Sequence, residues 1–303
     1  MRPILTILSF SPRPGRFRPL FPVLLPVLLL LITLLAGCTT NEAKSTYEEG
    51  TELLSNGEYT GAMAKFDTVA RNHQSSPYAP KSQYMLATIY SRNLGETEKA
   101  KEAYFALYYN YPKSPEALEA RKDLAAIYSS TGEHDKAVVE YQWVLDKSPD
   151  ERYYYRYLIG MEYLMMNELE QARVEFNDLL ALSTEPEADG STPMAIGADL
   201  KANVYYQVAS TYYLEGDNAA AIEAYDDFIE RFTGHALVVE AGLNKAKSLE
   251  ASARLDEALS ILKGIEDDYP NKEAITTYIR WIEKRIRQGP RYYSREKGKR
   301  WRR

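Results

Sequence analysis

The chain has a single cysteine, Cys38, among 303 residues. No disulfide can form within it and no thiolate cluster can hold a metal, so a disulfide-stapled fold and a cysteine-ligated metal centre are both excluded. Histidine is almost as scarce. His73, His134 and His235 are far apart, and none has a partner at the spacing of a His-Glu-x-x-His zinc helix. The sequence contains neither a Gly-x-Ser-x-Gly turn nor a glycine-rich phosphate loop. Acid pairs such as Asp226-Asp227 and Asp267-Asp268 are present. On helical sequence, however, charge runs mark solvated faces, whereas catalysis needs converging groups. These absences argue against an enzyme and predict no cofactor and no metal. Packing alone must hold the fold, and the helix formers Ala, Leu, Glu and Lys, with 25 tyrosines, are what it has to work with.

Only one long apolar run occurs, Leu20 to Leu35, and Pro22 and Pro26 interrupt it. It follows a stretch carrying Arg2, Arg13, Arg16 and Arg18 without an acid, and it ends in Leu35-Ala36-Gly37-Cys38. A positive region, an apolar region and small residues at a cut form the layout of a secretory leader. Cysteine directly after Leu-Ala-Gly resembles the lipobox of bacterial lipoproteins. That resemblance implies cleavage before Cys38 and acylation of its thiol and new amine; two or more acyl chains give stable anchoring. Thr39, where an Asp would retain such a protein at the inner membrane, implies the periplasmic face of the outer membrane. The whole chain carries a net charge of −6. Four arginines leave with residues 1–37, so residues 38–303 carry −10. The last twenty residues hold ten basic side chains and one acid, Glu296, so residues 38–283 stand at −19. An acidic body with a basic end points to electrostatic partners.

The remaining chain repeats. In each unit a small residue is followed three positions later by an aromatic or Leu. After a turn comes an Ala, then an aromatic or Leu four residues on. The third unit reads Ala125, Tyr128, Gly132, Ala137, Tyr141, Pro149; the fifth reads Ala209, Tyr212, Gly216, Ala221, Tyr225. The small residues Gly50, Ala87, Ala125, Gly160, Ala209 and Ala246 start six such units. The second unit carries one extra residue in its Asn93-Leu94-Gly95 turn. Small residues let two helices approach, the aromatic fills the groove between pairs, and Gly or Asn supplies the left-handed turn. This pattern resembles the tetratricopeptide repeat, a helix-turn-helix unit. It predicts an all-α solenoid of about six such repeats. A C-terminal capping helix over Glu273–Gln288 would present Ile275, Ile279, Ile282 and Ile286 on one side. The expected organisation is a leader at 1–37, repeats 1–4 at 38–182, an inserted loop at 183–196, repeats 5–6 with the cap at 197–288, and a basic disordered tail at 289–303.

Two connectors read Ser76-Pro77-Tyr78-Ala79 and Ser114-Pro115-Glu116-Ala117, the second after Tyr111-Pro112-Lys113. Together with the lipobox, this wording resembles the BamD family of periplasmic repeat lipoproteins, which serve outer-membrane β-barrel assembly. The resemblance implies a non-catalytic, lipid-anchored scaffold that binds proteins or peptides of envelope assembly. Departures from the family are a sixth repeat, the loop and a longer tail. Scaffolds of pilus or secretin assembly, or of Tol-Pal and division-linked coordination, share much of the wording and stand as the alternative.

Such a scaffold works through a surface. Three residues before the helix-A small residues stand Tyr47, Tyr84, Lys122, Tyr157, Tyr206 and Leu243, with Tyr154 and Tyr213 extending the row. The four tyrosines of that offset, together with Tyr154 and Tyr213, are the expected partner-binding groove, since Tyr offers large contact area at low entropic cost. The competing reading makes the same tyrosines packing. The tail, with Tyr292, Tyr293 and Trp301 among its basic residues, is expected to meet anionic lipid or an acidic partner; the compartment argues against nucleic acid.

Overall fold

A computed structural model of the chain describes residues 40–182 and 196–288. Cys38, the leader, residues 183–195 of the expected loop, and the tail lie outside the described residues. Thirteen helices and no strand occur among the described residues. They pair as helix A and helix B of six repeats: α1 (40–55) with α2 (Tyr59–Asn72), α3 (Tyr78–Thr88) with α4 (Thr97–Asn110), α5 (Pro115–Ser130) with α6 (His134–Lys147), α7 (Arg152–Met165) with α8 (Leu169–Leu182), α9 (Ala198–Glu215) with α10 (Asn218–Arg231), and α11 (Val238–Ala251) with α12 (Leu255–Ile265). The cap is α13 (Lys272–Gln288). The chain is an all-α solenoid of helix-turn-helix repeats. It divides into two compact units, Met1–Ala103 and Tyr104–Arg303.

The turn inside every repeat is built alike. One residue adopts positive φ in each: Gly57, Gly95, Gly132, Asn167, Gly216 and, in the sixth, Ala253 at 61°. In five turns the next residue donates its N–H to the carbonyl five positions back, as Glu133 does to Tyr128 at 2.8 Å and Arg254 to Leu249 at 2.8 Å. That bond caps the end of helix A. The second repeat has its extra residue here. Ile89–Leu94 widens into a π-helical turn, and Glu96 reaches six positions back to Tyr90 at 2.8 Å. An inserted residue is thus absorbed without changing the turn that follows. Glu58, Glu96, Glu133, Glu168 and Asp217 immediately precede helix B in the first five repeats, where a carboxylate suits the helix dipole. The second Ser-Pro connector works as a cap as well. Ser114 accepts a hydrogen bond from the Ala117 amide at 3.2 Å, and Pro115 occupies the first helical position, where its missing N–H costs nothing.

In the first unit, Ala62, Phe66 and Ile89 form the buried centre, with Tyr47, Leu53 and Met85 against it. The second unit carries a succession of clusters, one for each packed pair of repeats. Ala137, Tyr141, Val144, Tyr155 and Ile159 join repeats 3 and 4. Ala172, Phe176, Leu179 and Val204 join repeats 4 and 5. Ile222 and Leu249 continue into Leu262, and Ile275, Ile279 and Ile282 of the cap close the series. The predicted helix-B alanines Ala137, Ala172 and Ala221 are all fully buried.

Glycine at the centre of helix A has a specific use. A Cβ built on Gly160 would lie 2.5 Å from Phe176 Cε1, and one on Gly50 would lie 2.8 Å from Phe66 Cε1. Without a side chain, the helix-B ring rests directly on the helix-A backbone. A tyrosine three residues earlier covers that ring: Tyr47 is 5.5 Å from Phe66 and Tyr157 is 5.9 Å from Phe176, centroid to centroid.

Candidate functional site: the helix-A face of repeats 4 and 5

On an α-helix, positions i, i+3, i+7, i+10 and i+11 share one face. In α7 these are Tyr154, Tyr157, Met161, Leu164 and Met165. The equivalent positions of α9 are Asn203, Tyr206, Ser210, Tyr213 and Leu214. Three of the large apolar residues exposed in this unit fall here: Tyr154 at 53 %, Met165 at 65 % and Leu214 at 58 %. Tyr157, Met161 and Leu164 are half-buried, resting on the cluster around Phe176. The flanking repeats are mainly polar at the same register, with Glu119 and Lys122 on α5 and Glu240, Lys247 and Glu250 around Leu243 on α11. An apolar centre with a charged rim is the anatomy of a protein-binding patch.

The tyrosines of the predicted row do not share one environment. Tyr47 and Tyr84 lie in the first unit, both half-buried, with Tyr47 also 5.4 Å from the Tyr78 ring. Tyr154 is open, set edge-on to Tyr155 at 5.3 Å. Tyr157 is half-buried; burial raises its pKa, and a hydrogen bond to Gln207 of the next helix A partly offsets that. Tyr213 is half-buried. Tyr206 is only 8 % exposed, enclosed by Tyr225 at 6.0 Å and Phe228 at 5.8 Å. Its hydroxyl accepts from Asn244 Nδ2 of the next helix A at 3.2 Å. Tyr157 with Gln207 and Tyr206 with Asn244 are equivalent rungs that knit successive helices A. Part of the row therefore packs, and part is presented.

Met165 and Leu214 escaped the sequence reading, although both stand five residues after the small residue of their repeat, an offset that could have been scanned. The ion pairs of the unit were also unforeseen. Arg121 reaches Glu140 at 2.5 Å and Arg156 reaches Glu175 at 2.8 Å, at the same register in repeats 3 and 4. Burial pushes the pKa of both Glu140 and Glu175 up, and the neighbouring arginines oppose this. Arg121 also lies 3.9 Å from the Tyr108 ring centroid and 4.3 Å from that of Trp143. Lys122 joins repeats 3 and 4 through Glu151 at 2.6 Å, and Arg173 joins 4 and 5 through Glu215 at 2.9 Å. Every one of these cations is held by protein carboxylates, so none is poised for an anionic ligand. Among the described residues no group of three or more His, Cys, Asp or Glu is placed to hold a metal ion. No described helix is long and apolar enough to cross a membrane.

Comparison with known proteins agrees with this architecture. Tetratricopeptide-repeat family models match residues 81–114 and 208–273. The chain carries tetratricopeptide repeats, a module whose general role is to bind protein partners. No curated protein matches it. Among solved structures it is similar to a chain of the Naa15/Naa10 complex bound to HypK-THB, at a TM-score of 0.59 and 16 % identity, over 80 % of this chain and 34 % of that one. At this identity the likeness speaks for the fold alone. A tetratricopeptide repeat protein from Parabacteroides merdae matches over 80 % of this chain and 99 % of its own, at 15 % identity and a TM-score of 0.49. Pseudomonas aeruginosa pilF matches over 79 % and 97 %, at 17 % identity and 0.46.

Proposed function

We propose that this protein is a non-catalytic, lipid-anchored scaffold of the cell envelope, held by acylated Cys38 at the periplasmic face of the outer membrane. Its helix-A face in repeats 4 and 5 binds a partner protein of outer-membrane β-barrel assembly. The observation that carries the binding reading is that Tyr154, Met165 and Leu214 stand open on this face, at 53 %, 65 % and 58 % exposure, while the other large apolar side chains of those two helices are buried or half-buried. Exposed aromatic and Met side chains clustered on one face mark interaction sites, and Met adapts to varied partner shapes. The address rests on the lipobox wording, and the assembly role on the Ser-Pro-x-Ala connectors.

The test is site-specific photocrosslinking in the native host. A photoreactive residue placed at Tyr154, Met165 or Leu214 should capture a β-barrel assembly component. The same residue at Val139, exposed on helix B, should not. Capture of a secretin, a pilus subunit or a Tol-Pal component would move the scaffold to the other assembly. Equal capture from Val139 would refute the face itself. Intact mass of the membrane-extracted protein tests the anchor: a mature chain without acyl mass on Cys38 would remove it.

A further inference from the structure

On repeat 6 a groove of about 550 Å³ opens between α11 and the connector that leads into α13. Val239, Leu243, Tyr269 and Pro270 give it an apolar wall, and Glu240 and Asp268 supply carboxylates. Lys247 also lines it. Its ammonium is turned to neutral groups, donating to Asn244 Oδ1 at 3.3 Å and lying 6.0 Å from the Tyr213 ring centroid. The cap helix is fastened beyond the groove, at the C-terminal end of α11. There Glu250 accepts from the Tyr278 hydroxyl at 2.5 Å and pairs with Arg285. The connector adds negative charge beside the groove, with Glu266, Asp267, Asp268 and Glu273 close together. The single base there, Lys272, is committed to the carbonyls of Glu266 and Asp267.

An occupant for a groove that is apolar and acidic should be aromatic and basic. The segment that follows α13 has that character. Residues 289–303 hold seven basic side chains against Glu296, with Tyr292, Tyr293 and Trp301 among them. They leave from the end of α13, whose 17 residues span roughly 25 Å. The chain between Gln288 and Trp301 can extend to roughly 45 Å. Trp301 therefore has the reach to return along the cap to the groove with length to spare. Tethering raises the local concentration to the order of millimolar, so a contact too weak to hold a free peptide suffices.

We propose that the basic tail docks back onto its own groove on repeat 6, with Trp301 against the wall of Val239, Leu243 and Pro270 and the flanking arginines Arg300 and Arg302 on Glu240 and Asp268. Leu243 occupies the same register as Tyr157 and Tyr206, so the docked tail borders the partner-binding face, and a partner extending over repeat 6 must displace it. This device stands apart from the envelope assignment: it requires the groove and the tail, whatever the partner is.

Photocrosslinking within the full chain tests it, with benzoylphenylalanine at position 301 in dilute, lipid-free solution and peptide mapping by mass spectrometry. Crosslinks should fall within residues 236–247 and 268–271 of the same molecule. Raising the salt should weaken them, because the carboxylates are near the surface. Glu240→Lys with Asp268→Lys should lower their yield about tenfold, the effect of losing two modest charge contacts. The milder Glu240→Gln with Asp268→Asn covers the case in which the lysine variant melts early. Crosslinks scattered over other faces, crosslinks between copies, or undiminished yield in a folded charge variant would each overturn the proposal. Transfer of the crosslink from the groove to lipid in added phosphatidylglycerol vesicles would overturn it in favour of a membrane role for the tail.

Discussion

A single methyl group at Gly160 tests how the repeats are packed. In an unconstrained helix interior, glycine to alanine gains about 0.8–1.0 kcal/mol from backbone propensity. At Gly160 the new Cβ would stand 2.5 Å from Phe176 Cε1 and 2.9 Å from both Cδ1 and Cζ. Carbon atoms settle at roughly 3.5–4.0 Å, so the ring must retreat by about 1 Å. Phe176 is fully buried and Tyr157 covers it at 5.9 Å, so the retreat disturbs a filled core. Overpacking costs about 1–3 kcal/mol, and displacing a fully buried ring by about 1 Å falls in the upper half of that range, about 2–3 kcal/mol. After the propensity gain is subtracted, Gly160→Ala should lose roughly 1–2 kcal/mol, and each kcal/mol lowers Tm by about 2–4 °C in a domain of this size. The control is Gly264→Ala, in α12, where a Cβ meets nothing within 4 Å; it should hold or gain stability. Denaturant melts of both variants give the comparison. Adding Phe176→Leu to Gly160→Ala should cost less than the two separate losses combined, because the smaller side chain vacates the contested space. If Gly160→Ala is as stable as wild type, or if the double variant is simply additive, the ring does not rest on the helix backbone and the account of the glycine is wrong.

Ala253 holds φ at 61° in the one turn lacking Gly or Asn; Ala253→Gly should stabilise the chain by about 0.5–1 kcal/mol, the left-handed penalty less glycine's entropy cost, and a melt showing a loss would refute it. Burial pushes the Tyr225 pKa up to about 12 and also raises those of Tyr141, Tyr206 and Tyr278. Unfolded tyrosine ionises near pH 10, so this contribution is intact below pH 10 and is lost as pH rises toward 12. For Tyr225 it amounts to roughly 2–3 kcal/mol, and Tyr225→Phe should visibly flatten the alkaline fall in melts. Tyr141, 5 % exposed in α6, should cost about 3–5 kcal/mol when changed to Ala. Tyr154→Ala should change stability by no more than about 0.5 kcal/mol while weakening partner capture; equal losses of stability would merge face and core.

Much of the architecture could be read from the residues, because repeat geometry writes itself at fixed offsets. Gly132, Ala137 and Tyr141 occupy the turn, the helix contact and the core for which their side chains fit them. The cap was legible from Ile275, Ile279 and Ile282, all buried. Ala253 was not, because alanine gives no sign of a left-handed backbone; its conformation is imposed by the turn closing from Arg254 to Leu249. The ion pairs Arg121 with Glu140 and Arg156 with Glu175 bridge two helices 19 residues apart, a distance at which charge patterning along one helix is blind.

The tyrosine row shows where offset alone stops being informative. Position along helix A fixes the direction in which a ring points; its neighbours decide how much of it remains uncovered. Over Gly160 the Phe176 ring sinks against the helix, and Tyr157 packs against it while remaining half-buried. Beside Ala209 two rings, Tyr225 and Phe228, rise around Tyr206 and close it in. The same residue type at the same register is therefore half-buried in one repeat and core in the next. The proposed partner face accordingly lies over repeat 4 and takes in the exposed helix-end residues Met165 and Leu214. A solenoid built from similar units can in this way differ locally in what it exposes, through irregular packing and without a change of fold, and the proposed binding face rests on that difference.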